Sequence, residues 1–259
     1  MTTRLLTVLV LSLVVFAGCV GGGPAADNGD DTDDGGAAPA DRDDLSVEAT
    51  DRLLRDAGSF TATWSYSTTE AGETTTITNA YRVDLRANRS VETFAMSGPD
   101  AGTDFETFVA DGSAYTRYET DGEAFYQVRP QDDTSFQSAV DRGALSYESV
   151  DEARLVGTET FDGVTVDRYE YSDLSTWQEF GAGAFGSGGN VTVTDFTVVI
   201  LVDEDGLARQ TAWTLTGETD DGDTISVEWR YEVTGVGSTD VPDPDWLDDA
   251  RAQQSDATT

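Results

Sequence analysis

Side chains able to do chemistry are few in this 259-residue chain, and their distribution is lopsided. There is one cysteine, Cys19, and no histidine. The basic residues number 15, all of them arginine, against 50 acidic ones, for a formal charge of −35. A lone thiol makes neither an internal disulfide nor a cysteine zinc cluster. Without histidine, imidazole metal sites and histidine-based triads are also excluded. Serine and threonine nucleophiles would lack the usual base. Carboxylate-only catalysis remains, but acidic residues are so common that no pair stands out. The sequence therefore nominates no catalytic residue, no metal ligand and no cofactor, and the protein is not expected to be an enzyme.

Where Cys19 sits is the sharpest signal. Met1 to Arg4 form a short positive region, and Leu5 to Phe16 are apolar except for Thr7 and Ser12. That run is too short to span a bilayer, which takes about 20 residues; it has the length of a signal-peptide core. Phe16-Ala17-Gly18-Cys19 follows. This stretch resembles the lipobox of secreted lipoproteins, with Phe16 where leucine is usual. The resemblance implies a signal peptide over 1–18, a diacylglycerol thioether on Cys19 and anchoring to the outer face of the cell membrane. Two acyl chains hold a protein at a membrane where one is marginal. Residues 19–43, the lipidated cysteine and then GGGPAADNGDDTDDGGAAPADRD from Gly21, have nothing large and apolar beyond Val20 and read as a disordered acidic tether. Asp30 to Gly35 lack the closing glutamate and flanking helices of a calcium loop.

Charge bounds the partners. Carboxylates at this density repel phosphates and anionic lipid headgroups, so nucleic acid is not a partner and membrane contact must be covalent or apolar. Self-repulsion of this size fades when molar salt shortens the screening length to about 3 Å. The composition reads as that of an extreme halophile.

A domain over 44–250 must carry whatever the anchor presents. Asp44 to Gly58 read as a helix. Phe60, Ala62, Trp64 and Tyr66 alternate with small polar residues, and Ile225, Val227, Trp229, Tyr231 and Val233 alternate with Ser226, Glu228, Arg230 and Glu232. Period-two alternation gives one buried and one wet face. Asp-Gly pairs at 111–112, 121–122, 162–163, 205–206 and 221–222 favour tight hairpin turns; Asp203 to Gly206 is read as a turn before a metal site. Residues 132–148 and 173–180 are read as helical, Asp245 as the cap of a short helix, and 251–259 as a disordered tail. The expected class is mainly β (α+β): a strongly curved antiparallel half-barrel with a few covering helices, or alternatively a β-sandwich.

Phe108-Val109-Ala110-Asp111-Gly112-Ser113-Ala114-Tyr115 and Gly157-Thr158-Glu159-Thr160-Phe161-Asp162-Gly163-Val164, leading to Tyr169, together with the first helix and aromatic strand, resemble the LolA/LolB-like lipoprotein-carrier superfamily. The chain is also similar to the lipoproteins of unknown function common in haloarchaea. The resemblance implies an unclosed barrel with helices over its mouth and an apolar ligand cavity; it transfers no catalytic residue.

Candidate ligand-lining residues are Trp64, Trp213, Trp229 and Tyr231, on the inward faces of strands. FGAGAFGSGGN, residues 180–190, is a candidate lid loop carrying Phe180 and Phe185. Asn88 and Asn190 head sequons for N-glycosylation. The functional expectation is a membrane-anchored extracytoplasmic lipoprotein holding a lipid or other apolar ligand. The alternative is a cell-envelope structural or protein-interaction module with no ligand cavity.

Overall fold

The computed structural model describes residues 46–99, 102, 104–120, 122–143, 153–172, 191–219 and 222–257. Helix α1 (Val47–Ala57) begins where the Ser46 hydroxyl accepts the Ala49 N–H at 3.1 Å, so Ser46 is the cap; Asp44 lies outside the described residues. It ends at Gly58, whose φ of 76° lets its N–H reach the Leu54 carbonyl. The Arg86 guanidinium donates to the Ala57 carbonyl and lies against Gly58, where a Cβ would sit 2.7 Å from Nε.

Six strands follow as a meander: β1 (Ser59–Glu70), β2 (Glu73–Asp84), β3 (Arg89–Ser97), β4 (Asp104–Ala110), β5 (Ser113–Thr120) and β6 (Glu123–Pro130). Helix α2 (Phe136–Gly143) comes next. A second meander holds β7 (Arg154–Phe161), β8 (Val164–Tyr171), β9 (Val191–Asp203), β10 (Ala208–Thr219) and β11 (Thr224–Thr234), and helix α3 (Leu247–Ala257) closes the described chain. Residues 251–257, read from sequence as tail, continue α3.

All eleven strands join one curved, open, antiparallel sheet in the order β6-β5-β4-β3-β2-β1-β11-β10-β9-β8-β7. There is no second sheet among the described residues, so the sandwich alternative falls and the half-barrel stands. The two meanders zip together along β1 and β11, from Thr61 opposite Thr234 to Glu70 opposite Ile225. Two of the Asp-Gly pairs close hairpins, Asp111–Gly112 and Asp162–Gly163, with both φ angles positive, as a type I′ turn needs. Ala71–Gly72 makes the same turn between β1 and β2 without an aspartate.

Strand alternation divides the sheet into two faces. On the inner face α1 and α2 pack Leu54, Phe136, Ala139 and Val140 onto Phe60, Ala62, Tyr81, Val83, Tyr231 and Val233. On the outer face α3 packs Leu247 and Ala250 onto Val91, Phe108, Ala110 and Tyr115, while Trp246 stacks on Tyr126 with ring centroids 6.0 Å apart. Between these helices the outer face is hydroxyl-rich. Ser67 bonds Thr76 at 3.1 Å, Thr69 bonds Thr74 at 2.9 Å, and Arg230 lies between Glu228 and Glu232.

Candidate functional site

The strand registers line up one residue from each strand along the inner face. Leu155, Tyr169, Ile200 and Thr211 come from β7 to β10; Tyr231, Trp64 and Asn79 follow from β11, β1 and β2; Phe94, Phe105, Tyr118 and Phe125 end the row on β3 to β6. Directly opposed side chains on adjacent strands are in contact range, so the row is a continuous, mostly aromatic stripe. A second row beside it runs Tyr171, Val198, Trp213, Trp229, Tyr66, Ile77 and Met96.

The middle of the stripe is sealed. The Tyr231 hydroxyl donates to the Ala139 carbonyl at 2.9 Å, fastening α2 to the sheet. Gly143 allows the closest approach: a Cβ there would meet the Tyr231 ring at 2.6 Å. Phe136 packs edge-on against Phe60 at 5.6 Å, the Arg55 guanidinium lies 4.0 Å from the Phe136 ring centre, and that of Arg142 lies 5.2 Å from the Trp64 ring centre. The Ser135 N–H donates to the buried Ser90 hydroxyl at 2.9 Å, tying the approach to α2 to β3.

Beyond β2 none of the described helices covers the stripe. Phe94 and Phe105 stack at 5.2 Å with planes 8° apart, Phe105 and Tyr118 follow at 6.2 Å, and Phe125 is 51% exposed. A polar knot marks the boundary. The Asn79 amide donates to Glu92 Oε1 at 3.1 Å and to the Thr93 carbonyl at 3.3 Å, and its own buried Oδ1 has no partner. Tyr81 is held neutral to a higher pH than usual, chiefly by burial and then by the Glu92 charge, with Arg142 pulling the other way.

Among the residues singled out from sequence, Trp229 and Tyr231 are buried at 5% and 2% exposure under the helices, while Trp64 and Trp213 are half-buried beside them. Trp213 stacks on Trp229 at 6.4 Å with planes 7° apart. Asn88 is exposed in a turn at φ 52° and its amide donates to the Asp132 carbonyl; Ser90, the third sequon position, is buried against Ser135. Cys19, Asn190, Phe180, Phe185, the candidate lid loop, the helix expected at 173–180 and the 144–148 end of the helix expected from residue 132 lie outside the described residues. The Asp203 carboxylate is occupied by its own hairpin: Oδ1 accepts the Asp205 and Leu207 N–H groups at 3.1 and 2.9 Å, and Oδ2 accepts Arg209 Nε at 2.6 Å. The residues not foreseen are Phe94, Met96, Phe105, Tyr118 and Phe125. The Asp-Gly spacing in the sequence held the signal: two-residue links between Ala110 and Ser113 and between Thr120 and Glu123 set Phe105 opposite Tyr118 and Tyr118 opposite Phe125.

A mainly β half-barrel, with helices over part of each face and an aromatic stripe that the described helices leave open at one end, is the class of protein the fold defines. Within that class the chain belongs to a family of unknown function, DUF7537, whose model matches residues 4–250. No curated protein matches it. Among solved structures, a DUF1329 family protein from Desulfovibrio piger is 11% identical over 80% of this chain and 98% of its own, with a TM-score of 0.23. The MucA/MucB complex of Pseudomonas aeruginosa gives 14% identity, 78% and 59% coverage and a TM-score of 0.25. The ywiB protein of Bacillus subtilis gives 9% identity, 68% and 91% coverage and a TM-score of 0.17. The architecture rests on the strand registers, not on these overlaps. No helix among the described residues is long and apolar enough to cross a membrane.

Proposed function

We propose that the protein is an exported lipoprotein, anchored to the outer face of the cell membrane through Cys19, whose half-barrel takes up a lipid or other apolar ligand along the open end of its inner face. The uncovered run Phe94–Phe105–Tyr118–Phe125 carries this reading. Phe94, Phe105 and Tyr118 are half-buried and Phe125 is exposed, and a contiguous apolar run that reaches the surface marks a binding site. Each aromatic ring brings a large contact area, and covering apolar surface yields about 25 cal/mol per Å². The surrounding carboxylate surface disfavours an anionic headgroup at the rim, so affinity must come from the apolar part.

Native mass spectrometry of the full chain from its host, followed by lipid extraction, tests this. The expected result is a bound amphiphile that is lost in Phe94→Ser/Phe105→Ser and kept in Asn88→Gln. The same empty mass for wild type and variant, under conditions that preserve the fold, sinks the ligand reading. The anchor is tested separately by detergent phase partitioning of Cys19→Ser: a variant that partitions as wild type does overturns it. The filled state of the inner face under α2 favours a second reading, an envelope interaction module whose partner is a protein on the same open end. A polypeptide that co-purifies, and is lost in the double serine variant, selects it.

A further inference from the structure

Among the described residues the open sheet has two edge strands, and they are built differently. On β7 the register against β8 slips between Leu155 and Gly157, leaving Val156 as an extra residue, 54% exposed. A bulge of this kind twists an edge and breaks its row of outward N–H and C=O groups, which protects it from pairing with another chain. No such slip occurs on β6, which pairs with β5 continuously from Ser113–Pro130 to Thr120–Glu123. Lysine, the common guard of edges, is absent from the whole chain. The strand EAFYQVRP has only two charges, Glu123 near its start and Arg129 near its end. Neither enters an ion pair among the described residues, although acidic groups abound.

Hydrogen-bond parity says which groups are free. Thr120 pairs with Glu123 across a two-residue link, so odd-numbered residues of β6 aim their N–H and C=O groups back at β5. Gln131 keeps that parity, donating its N–H to the Gly112 carbonyl at 2.9 Å. Ala124, Tyr126 and Val128 therefore point theirs outward, away from the sheet.

We propose that β6 pairs antiparallel with β6 of a second copy of this chain, on a two-fold axis at Tyr126. In this register Ala124 faces the partner's Val128, Tyr126 faces the partner's Tyr126, and every outward group of the three finds a mate, about six N–H···O bonds in all. Glu123 falls opposite the partner's Arg129 at both ends, which matches the only charges the strand has. Shifting the centre shortens the ladder and separates these charges. Phe125 lies diagonal to the partner's Phe125, within aromatic reach, so two open aromatic runs meet across the junction. The net charge of each copy opposes association until salt screens it; the dimer therefore strengthens as salt rises, the reverse of an interface held by ion pairs alone.

Sedimentation of the full chain in detergent across a concentration series tests the pairing. In molar salt a reversible dimer is expected, with dissociation on dilution into low salt. Ala124→Pro removes an outward N–H while leaving the bonds to β5, and weakens the dimer at least tenfold. Thr160→Pro does the same to an outward N–H on β7 and leaves the dimer unchanged. At the lowest salt that keeps the wild-type dimer, Glu123→Arg weakens it, and Glu123→Arg/Arg129→Glu brings it back, a readout that does not depend on the proline variants folding. A wild type that stays monomeric in molar salt overturns the proposal. So does a dimer that Thr160→Pro weakens as much as Ala124→Pro, or one that the double charge exchange does not restore.

Discussion

Two stretches of the same inner face use the same side chains to opposite ends. Where β1 meets β11, the aromatic rows lie beneath α1 and α2, with Tyr231 tied to α2 and Phe60 fully buried. Three strands away, on β4 to β6, an equally aromatic continuation has no described helix on its inner side, and exposure climbs to 51% at Phe125. The cause is where the helices attach. Both α1 and α2 are fastened near the first two strands, by Gly58 and Tyr231, whereas α3 covers β4 to β6 on the outer side. Residues of one type are thus core in one place and half-buried to exposed in the other. The lesson is that aromatic content says little about role until the covering element is known.

Truncating a ring in each stretch puts the contrast under its heaviest load. Phe60→Ala is expected to cost about 3–5 kcal/mol, the loss of transfer energy plus a cavity under α2. Phe125→Ala is expected to fall within about 0.5 kcal/mol, as for ordinary surface changes. Denaturant unfolding in molar salt reads both, and equal costs would erase the distinction.

A smaller effect probes the seal itself. Alanine normally stabilises a helix relative to glycine, but at Gly143 the new Cβ would lie 2.6 Å from a Tyr231 ring that is pinned by its own hydrogen bond. Gly143→Ala is expected to destabilise by about 1–3 kcal/mol through overpacking. In a Tyr231→Ala background the same change should cost nothing, and a double-mutant cycle measures the coupling. Additive costs would mean that the contact does not hold α2 down.

Much of the sealed stretch was legible in the sequence, and the physical reason is that it is wet on one side only. Phe60 to Tyr66 and Ile225 to Val233 alternate cleanly because their outer neighbours are threonine, serine and charged residues. The turns were legible because Asp-Gly suits positive φ at two successive positions. On β4 and β5 the signal blurs. Phe105 and Val109 face inward while Phe108 and Ala110 face α3, so both faces are apolar and no alternation survives. The start of α1 was misplaced by two residues because Asp44 and Ser46 are both good caps, and only the chain path chooses Ser46. The reach of α3 to Ala257 was missed because LDDARAQQSDA has little apolar content to advertise a helix.

The subtlest effect lies at the boundary between the two stretches, on Tyr81. This residue sits opposite Glu92 at the rim of the sealed region, and burial followed by the Glu92 charge raises its pKa. A phenol whose pKa is raised on folding binds its proton more tightly in the native than in the unfolded chain. Its contribution to stability is then fully present below the unfolded value of about 10 and is lost as pH climbs through the folded one. The other tyrosines also titrate there, so the quantity to follow is the difference between wild type and Tyr81→Phe. That difference should be flat from neutral pH to about pH 10 and then move in favour of the variant. Glu92→Gln removes the second cause of the shift and should reduce the alkaline loss without abolishing it, because burial, the larger cause, remains. If Glu92→Gln abolished the loss entirely, the boundary would be governed by charge, and the helices would not be excluding water from the edge of the seal. If neither variant changed the alkaline limb, Tyr81 would be solvated like a residue of the open stretch, and the line between the two regions would have to be drawn nearer to β1.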